Sequence, residues 1–191
     1  MGTAVYIVAA SLLVAVAFLV FRALVRRDYQ QKGRLTPLTG LLQLLVWALY
    51  IGFPYLYNPP QWASFWSPEA PVSRPVWVIG VACTVIGLVA AFGTMLVFGL
   101  RRAFGWQVEG LVRSGLYRVT RNPQLVGGVL MVIGPALLWP SWYALGWVLL
   151  YGVVGHLMVM TEEEHLHQVH GEEYERYCEQ TPRYLGRWWK R

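Results

Sequence analysis

Two polar segments in the last third of the chain carry the residue types that could do chemistry. The first reads Gly110-Leu111-Val112-Arg113-Ser114-Gly115-Leu116-Tyr117-Arg118-Val119-Thr120-Arg121-Asn122-Pro123-Gln124-Leu125-Val126-Gly127-Gly128. The second reads Glu162-Glu163-Glu164-His165-Leu166, then His170-Gly171-Glu172-Glu173-Tyr174, then Tyr177 and Thr181-Pro182-Arg183. Carboxylates can hold a cation, and imidazoles can move a proton near neutral pH. The free N–H groups at a helix start can receive a carboxylate or a phosphate. A hydrophobic hairpin lies between the two segments. Anchoring in lipid needs none of these polar groups, so the layout points to an enzyme working where a bilayer meets water.

Individual residues sharpen this reading. Pro123 suits the first turn of a helix, with Asn122 as its N-cap. Gly127-Gly128 would let another backbone or a flat ligand come close. Glu162-Glu163-Glu164 stand where a membrane helix should end, against the sign that the helix dipole favours. They therefore read as a cation holder. Glu162 and His165 share a helical face at i, i+3, as do Met158 and Glu162 at i, i+4. His156 lies inside the span and reads as a neutral histidine bonded to a neighbouring helix. His165, His167 and His170 are not completed by cysteines or carboxylates at a zinc spacing, so no metal is expected.

These segments must be positioned by membrane helices. Of 191 residues, 56% are hydrophobic and 14% are charged, well below the roughly 25% charge of a soluble domain. Four apolar runs, Ala4–Val25, Pro37–Tyr57, Val76–Leu100 and Ser141–Met160, have the ~20 residues that cross a ~30 Å hydrocarbon core. A shorter fifth, Gln124–Trp139, ends at Pro140 and reads as the first arm of a tight hairpin. The first run is too long for a cleavable signal, no basic residue precedes it, and Arg26-Arg27 follow it. Cys83 and Cys178 fall in a span and in the tail, so no disulfide framework is expected.

Basic residues set the topology. Arg26, Arg27, Lys32 and Arg34 follow the first run, and Arg22 lies at its end. Arg101, Arg102, Arg113, Arg118 and Arg121 precede the fifth run, and Arg176, Arg183, Arg187, Lys190 and Arg191 follow the last one. Only Arg74 is left for the other face. Five spans with the N-terminus outside put all three basic segments in the cytoplasm. The net charge of +6 is then explained by topology and anionic headgroups, without nucleic acid. Trp62, Phe65 and Trp66 in the outer loop Asn58–Pro75 read as an aromatic belt. Gly80, Gly87, Ala91 and Gly93 read as a close-packing stripe. A short amphipathic helix is expected from about Gly171 to Gln180, with Trp188-Trp189-Lys190-Arg191 as an interfacial anchor.

The stretch from Leu111 to Pro123 resembles the "LVTSGPYRYVRHP" signature of the isoprenylcysteine carboxyl methyltransferases and their phospholipid N-methyltransferase relatives. The tail is similar to that family's "EExxLxxxFGxxYxxYxxxVPR" in Glu162-Glu163, Leu166, His170-Gly171, Tyr174, Tyr177 and Thr181-Pro182-Arg183. The resemblance covers roughly residues 100–185. It implies S-adenosylmethionine as methyl donor, bound between the last two spans and the tail. By position, its contacts would come from Glu109, Gly110, Leu111, Val112, Tyr117, Asn122, Pro123, Gln124, Leu125 and Glu162. Three positions depart from the family pattern: Asn122 replaces a His, Leu125 a Tyr and Met158 an Arg that meets a prenylcysteine carboxylate. Losing that arginine argues against a carboxylate substrate and leaves an amine, a thiol or another lipid acceptor open. A protonated amine would need a base, for which His165, Glu163 and His156 are candidates, His165 first.

The expectation is an all-α, polytopic membrane helical bundle of five transmembrane helices, the last two a hairpin, with a cytoplasmic C-terminal helical tail. It is a single domain over 1–191: scaffold in 1–100, cofactor and catalytic region in 101–185, interfacial tail in 186–191. Its partners would be membrane lipids and a lipophilic or lipid-modified acceptor. The rival readings are an NADPH-dependent membrane sterol or steroid reductase and a non-catalytic membrane scaffold.

Overall fold

A computed structural model describes residues 2–57, 69–98 and 110–186. The aromatic belt at Trp62, Phe65 and Trp66, Glu109, the arginines Arg101, Arg102 and Arg187, and the Trp188–Arg191 anchor lie outside these residues. The described residues are helical or irregular, with no strand among them. Helix α1 spans Thr3–Lys32 and widens into a π-helical stretch over Leu19–Val25. Helix α2 is Pro37–Gly52, extended by one turn at Pro54–Tyr57. Helix α3 is Arg74–Phe98, α4 is Pro123–Leu138, α5 is Trp142–His170 and α6 is Glu172–Gln180.

Among the described residues, four helices are long and apolar enough to cross a membrane: α1, α2, α3 and α5. The 16 residues of α4 reach about 24 Å at 1.5 Å per residue, short of a ~30 Å core. With its apolar helices, the chain is an integral membrane protein.

Local signals explain the helix boundaries. Thr36 and Thr39 form a reciprocal capping box at the start of α2, with Pro37 in its first turn. Ser141 accepts from the Ala144 N–H at 3.0 Å and starts α5 directly after Pro140. Gly171, at φ 47, makes the corner between α5 and α6 that a side chain would strain.

The bundle has two parts. Helices α1, α2 and α5 share one core, in which Phe21, Val25, Val46, Tyr50 and Val154 are almost fully enclosed. Tyr50 and Trp147 stack with ring centroids 5.3 Å apart. Each donates a 3.2 Å hydrogen bond to the other's backbone carbonyl, which clasps α2 to α5.

The second part is the α3–α4 pair. A Cβ on Gly87 would lie 2.6 Å from the Gly127 oxygen, and one on Gly127 would lie 2.7 Å from the Ala91 nitrogen. Gly80 and Gly134 meet in the same way. Of the expected stripe, Gly93 faces open space. Helix α4 packs far more on α3 than on its hairpin partner α5. It reaches α5 through Gly128 against Tyr151 and Leu125 against Gly155. The two parts diverge beyond these contacts and leave a cavity between them.

Candidate active site

A cavity of about 430 Å³ opens between the α1–α2–α5 core and the α3–α4 pair. Its volume lies in the range of small-molecule sites. Leu44 and Ile51 of α2 and Phe92 of α3 line it and are exposed at its flank. At the other end the lining is polar: Tyr117, Arg121, Asn122, Glu162, Glu163, His165 and Tyr177.

The three consecutive glutamates do three different jobs. Helix α5 continues to His170, so they stand two turns before its end and not at its C-terminus as the sequence suggested. The dipole argument for them therefore falls away. Glu164 turns outward to α1, where Arg22 Nη2 and Arg26 Nε reach its two oxygens at 2.6 and 2.7 Å. Arg22 lies in the π-helical stretch and also donates to Thr161 Oγ1 at 3.2 Å.

Glu163 turns toward the tail and is almost completely enclosed. Arg183 donates to its Oε2 through Nη2 at 2.7 Å and Nε at 2.9 Å, and Arg121 Nη1 stands 3.4 Å from Oε1. Both Glu163 and Glu164 thus hold cations supplied by the protein itself. Glu162 faces the cavity, and no cation or hydrogen-bond donor reaches it among the described residues.

The segment before α4 is stitched to the tail through its backbone. The Arg121 N–H donates to the Pro182 carbonyl at 2.9 Å, and Thr120 Oγ1 to the Arg183 carbonyl at 3.1 Å. Tyr177 donates its hydroxyl to the Tyr117 carbonyl at 2.7 Å. Arg113 Nη2 donates to Glu173 Oε1 at 2.7 Å across the surface.

Tyr174 and Tyr177 are the buried face of α6, and its glutamates face outward. Burial pushes the Tyr177 hydroxyl up to about 12. It pushes Tyr117 above the usual tyrosine range, and the negative charge of Glu162 adds to that shift. Both phenols therefore stay protonated and neutral.

Asn122 precedes Pro123 at the start of α4, but its side chain does not cap the helix. Its amide Nδ2 donates instead to the Arg183 carbonyl at 3.1 Å and to Glu163 Oε1 at 3.4 Å. The tail recruits this side chain away from the cap. The Gln124 and Leu125 N–H groups are left without a side-chain acceptor at the cavity wall. Gly127 packs against the α3 backbone at Ala91, and Gly128 packs on Tyr151 and also lines the cavity.

Of the residues singled out in the sequence, Gly110, Leu111, Val112, Tyr117, Asn122, Pro123, Gln124, Leu125, Met158, Glu162, Glu163 and His165 all line the one cavity. Glu109 lies outside the described residues. His156 does not line the cavity: it is exposed, and its Nδ1 pairs with the Tyr184 hydroxyl at 2.7 Å. On this turn of α5 Met158 faces the cavity and His156 faces away from it. His165 is buried and stacks on Tyr29, with centroids 4.0 Å apart and planes 6° from parallel.

Tyr29 and Gln43 were missed in the sequence, although both line the cavity from the part of the chain read as scaffold. A polar Gln within an otherwise apolar span was the available signal for the second. Tyr29 carried no such mark, because its role depends on α1 running past Arg26-Arg27 to Lys32.

No metal-holding group of His, Cys, Asp or Glu occurs among the described residues. No curated protein and no solved structure matches the chain. A family model for phospholipid methyltransferases matches residues 76–173. The match begins in α3, takes in α4 and all of α5, and stops inside α6. It thus contains Glu162, Tyr117 and the start of α4, and it covers just over half of the 191 residues. The chain belongs to the phospholipid methyltransferase family and is a membrane methyltransferase.

Proposed function

We propose that the cavity binds S-adenosylmethionine at its polar end and a membrane lipid along its apolar flank, and that the protein methylates that lipid. The observation that carries this reading is Glu162, an unpaired carboxylate facing the cavity beside two glutamates that are paired. A carboxylate left without a cation in a partly enclosed wall asks for a cationic ligand. Glu162 would hold the ammonium of the donor. The uncapped N–H groups of Gln124 and Leu125 suit its carboxylate. Tyr117 and the backbone of Gly110, Leu111 and Val112 suit a flat ring. When bound, the donor supplies an electrophilic methyl group on a sulfonium.

The protein's own contribution is to hold, orient and keep dry. Glu163, with Arg121 and Arg183 on its two oxygens, fixes the tail over the cavity. His165, buried on Tyr29, is the group placed to take a proton from the acceptor. Met158 gives the acceptor side a neutral wall, so a carboxylate acceptor finds no arginine there. Leu44, Ile51 and Phe92 offer the acceptor's chains a way in from the bilayer.

The tail, the segment before α4 and the end of α1 meet at one end of the bundle, joined by Arg121, Arg183, Arg22 and Arg26. By the excess of basic residues this end is the cytoplasmic one, with α4 and α5 crossing as a hairpin and the N-terminus outside. Protein reconstituted in vesicles of total membrane lipid should pass label from methyl-tritiated S-adenosylmethionine into the organic extract. Label confined to the aqueous phase, with the donor bound, would overturn the lipid acceptor.

A further inference from the structure

Resting on the methyltransferase reading, we propose that Arg22 is a positioning residue of the donor site: through Glu164 and Thr161 it sets the rotation of α5 that aims Glu162 into the cavity and keeps His165 on Tyr29. Arg22 touches neither the cavity nor the tail. It lies in the π-helical stretch Leu19–Val25, which interrupts an otherwise regular helix. Such single π turns are frequent at functional sites.

Helices α1 and α5 run parallel. At one end Tyr6 donates to the Tyr143 carbonyl at 2.8 Å, and at the other Tyr29 stacks on His165. Between these two contacts α1 holds one residue more than α5. A π turn takes up an extra residue, so the stretch keeps both contacts in place. The burial pattern agrees. Ala17, Phe21, Val25 and Tyr29 stand four residues apart and all belong to the one core. At 100° per residue a regular helix would carry the last of them about 120° off the face of the first.

The widened turn delivers Arg22 to α5. Its Nη1 donates to Thr161 Oγ1 at 3.2 Å and its Nη2 to Glu164 Oε1 at 2.6 Å. Arg26 takes the other oxygen of Glu164 at 2.7 Å. Thr161 shares its hydroxyl proton between the carbonyl of Phe21, inside the π stretch at 3.2 Å, and that of Leu157 at 3.1 Å. Thr161, Glu164 and His165 therefore all meet α1, and their i, i+3, i+4 spacing puts them on one side of α5. Glu162 follows Thr161 by one residue and stands about 100° round the helix from it. That step carries its carboxylate off α1 and into the cavity. The aim of Glu162 is thus set by neighbours that α1 holds, and Arg22 is the side chain that grips two of them at once.

The test uses the full chain in detergent and two readouts. NMR of histidine-labelled protein reads the His165 ring, assigned with His165→Phe. Stacking on Tyr29 should hold its ring protons upfield, and Arg22→Gln should move them toward the position of free histidine. Calorimetry reads S-adenosylhomocysteine. Arg22→Gln should weaken it by about three- to tenfold, the reach of a residue that acts through packed elements without touching the ligand. That loss should vanish in a Glu162→Gln background, because the carboxylate that Arg22 aims is then gone. Arg22→Lys, which still offers Glu164 a cation, should recover most of both signals. Should Arg22→Gln fail to fold, Glu164→Gln keeps an acceptor for Arg22, drops the charge and is read in the same way.

An unmoved His165 signal, or an equal loss of affinity in both backgrounds, would overturn the positioning role and leave Arg22 a prop of the fold. Absence of S-adenosylhomocysteine binding in the unaltered protein would instead overturn the methyltransferase reading, and the His165 signal would still report whether Arg22 sets the α1–α5 seam.

Discussion

Glu163 joins helix α5, the segment before α4 and the tail in one ion-pair network, with Arg121, Arg183 and Asn122 on its two oxygens. Glu163→Ala would leave the enclosed Arg121 guanidinium without its carboxylate. A loss of roughly 3 kcal/mol follows for a buried pair broken on one side. It should appear as a Tm lower by about 5–10 °C in a detergent thermal scan. An unchanged Tm would mean that the network does not hold the tail. Cys178 sits in the same network. Burial pushes its thiol above the usual range, against the pull of Arg121. Less thiolate is then present at any given pH, so alkylation by iodoacetamide at pH 8 should be slower than for a free thiol and should recover on unfolding. At this scale the sequence was legible wherever a residue type announced its chemistry. Glu162 and His165 stood out because carboxylates and imidazoles are scarce near a membrane, Tyr117 only through the family resemblance, and all three line the cavity. Which of three adjacent glutamates stays unpaired was not legible. That depends on a 100° step per residue around α5 and on arginines distant in the chain.

Helix α5 continues to His170, almost three turns past the end of the apolar run at Met160, and this extension gives its glutamates three faces. The sequence offered Met160 as a stop because the apolar pattern ends there. Hydropathy marks where lipid ends and not where a helix ends. The α3–α4 pair shows the reverse case, where small residues in the sequence did mark a contact. Gly87 touches the α4 backbone, whereas Gly93 has nothing within 4 Å. Gly87→Val should therefore destabilise by about 1–3 kcal/mol through overpacking. Gly93→Ala should leave stability unchanged or raise it slightly, since Ala is the better helix former. Thermal scans of the two variants check this, and equal effects would contradict the packing described. The pairing of α4 with α3 more than with α5 was not legible. A tight hairpin turn fixes sequence neighbours, and the packing partner is set by which faces carry glycine.

At the scale of the whole molecule, three segments far apart in sequence meet at one end of the bundle: the end of α1, the segment before α4 and the tail. The basic residues placed them on one face, and the arginine–glutamate contacts bring their described parts together. A membrane-impermeant maleimide should therefore label Ser114→Cys and Gln180→Cys from the same side of sealed vesicles, and Thr3→Cys from the other. Labelling of all three from one side would contradict the orientation proposed. The central claim is that Glu162 is the unpaired acid of a donor site. Calorimetric titration of the detergent-solubilised protein with S-adenosylhomocysteine, beside Glu162→Gln, tests it most directly. Saturable binding that the substitution weakens by about tenfold or more is expected, as for a charged hydrogen bond lost. Equal affinity in the two proteins, or no binding to either while NADPH binds, would contradict it.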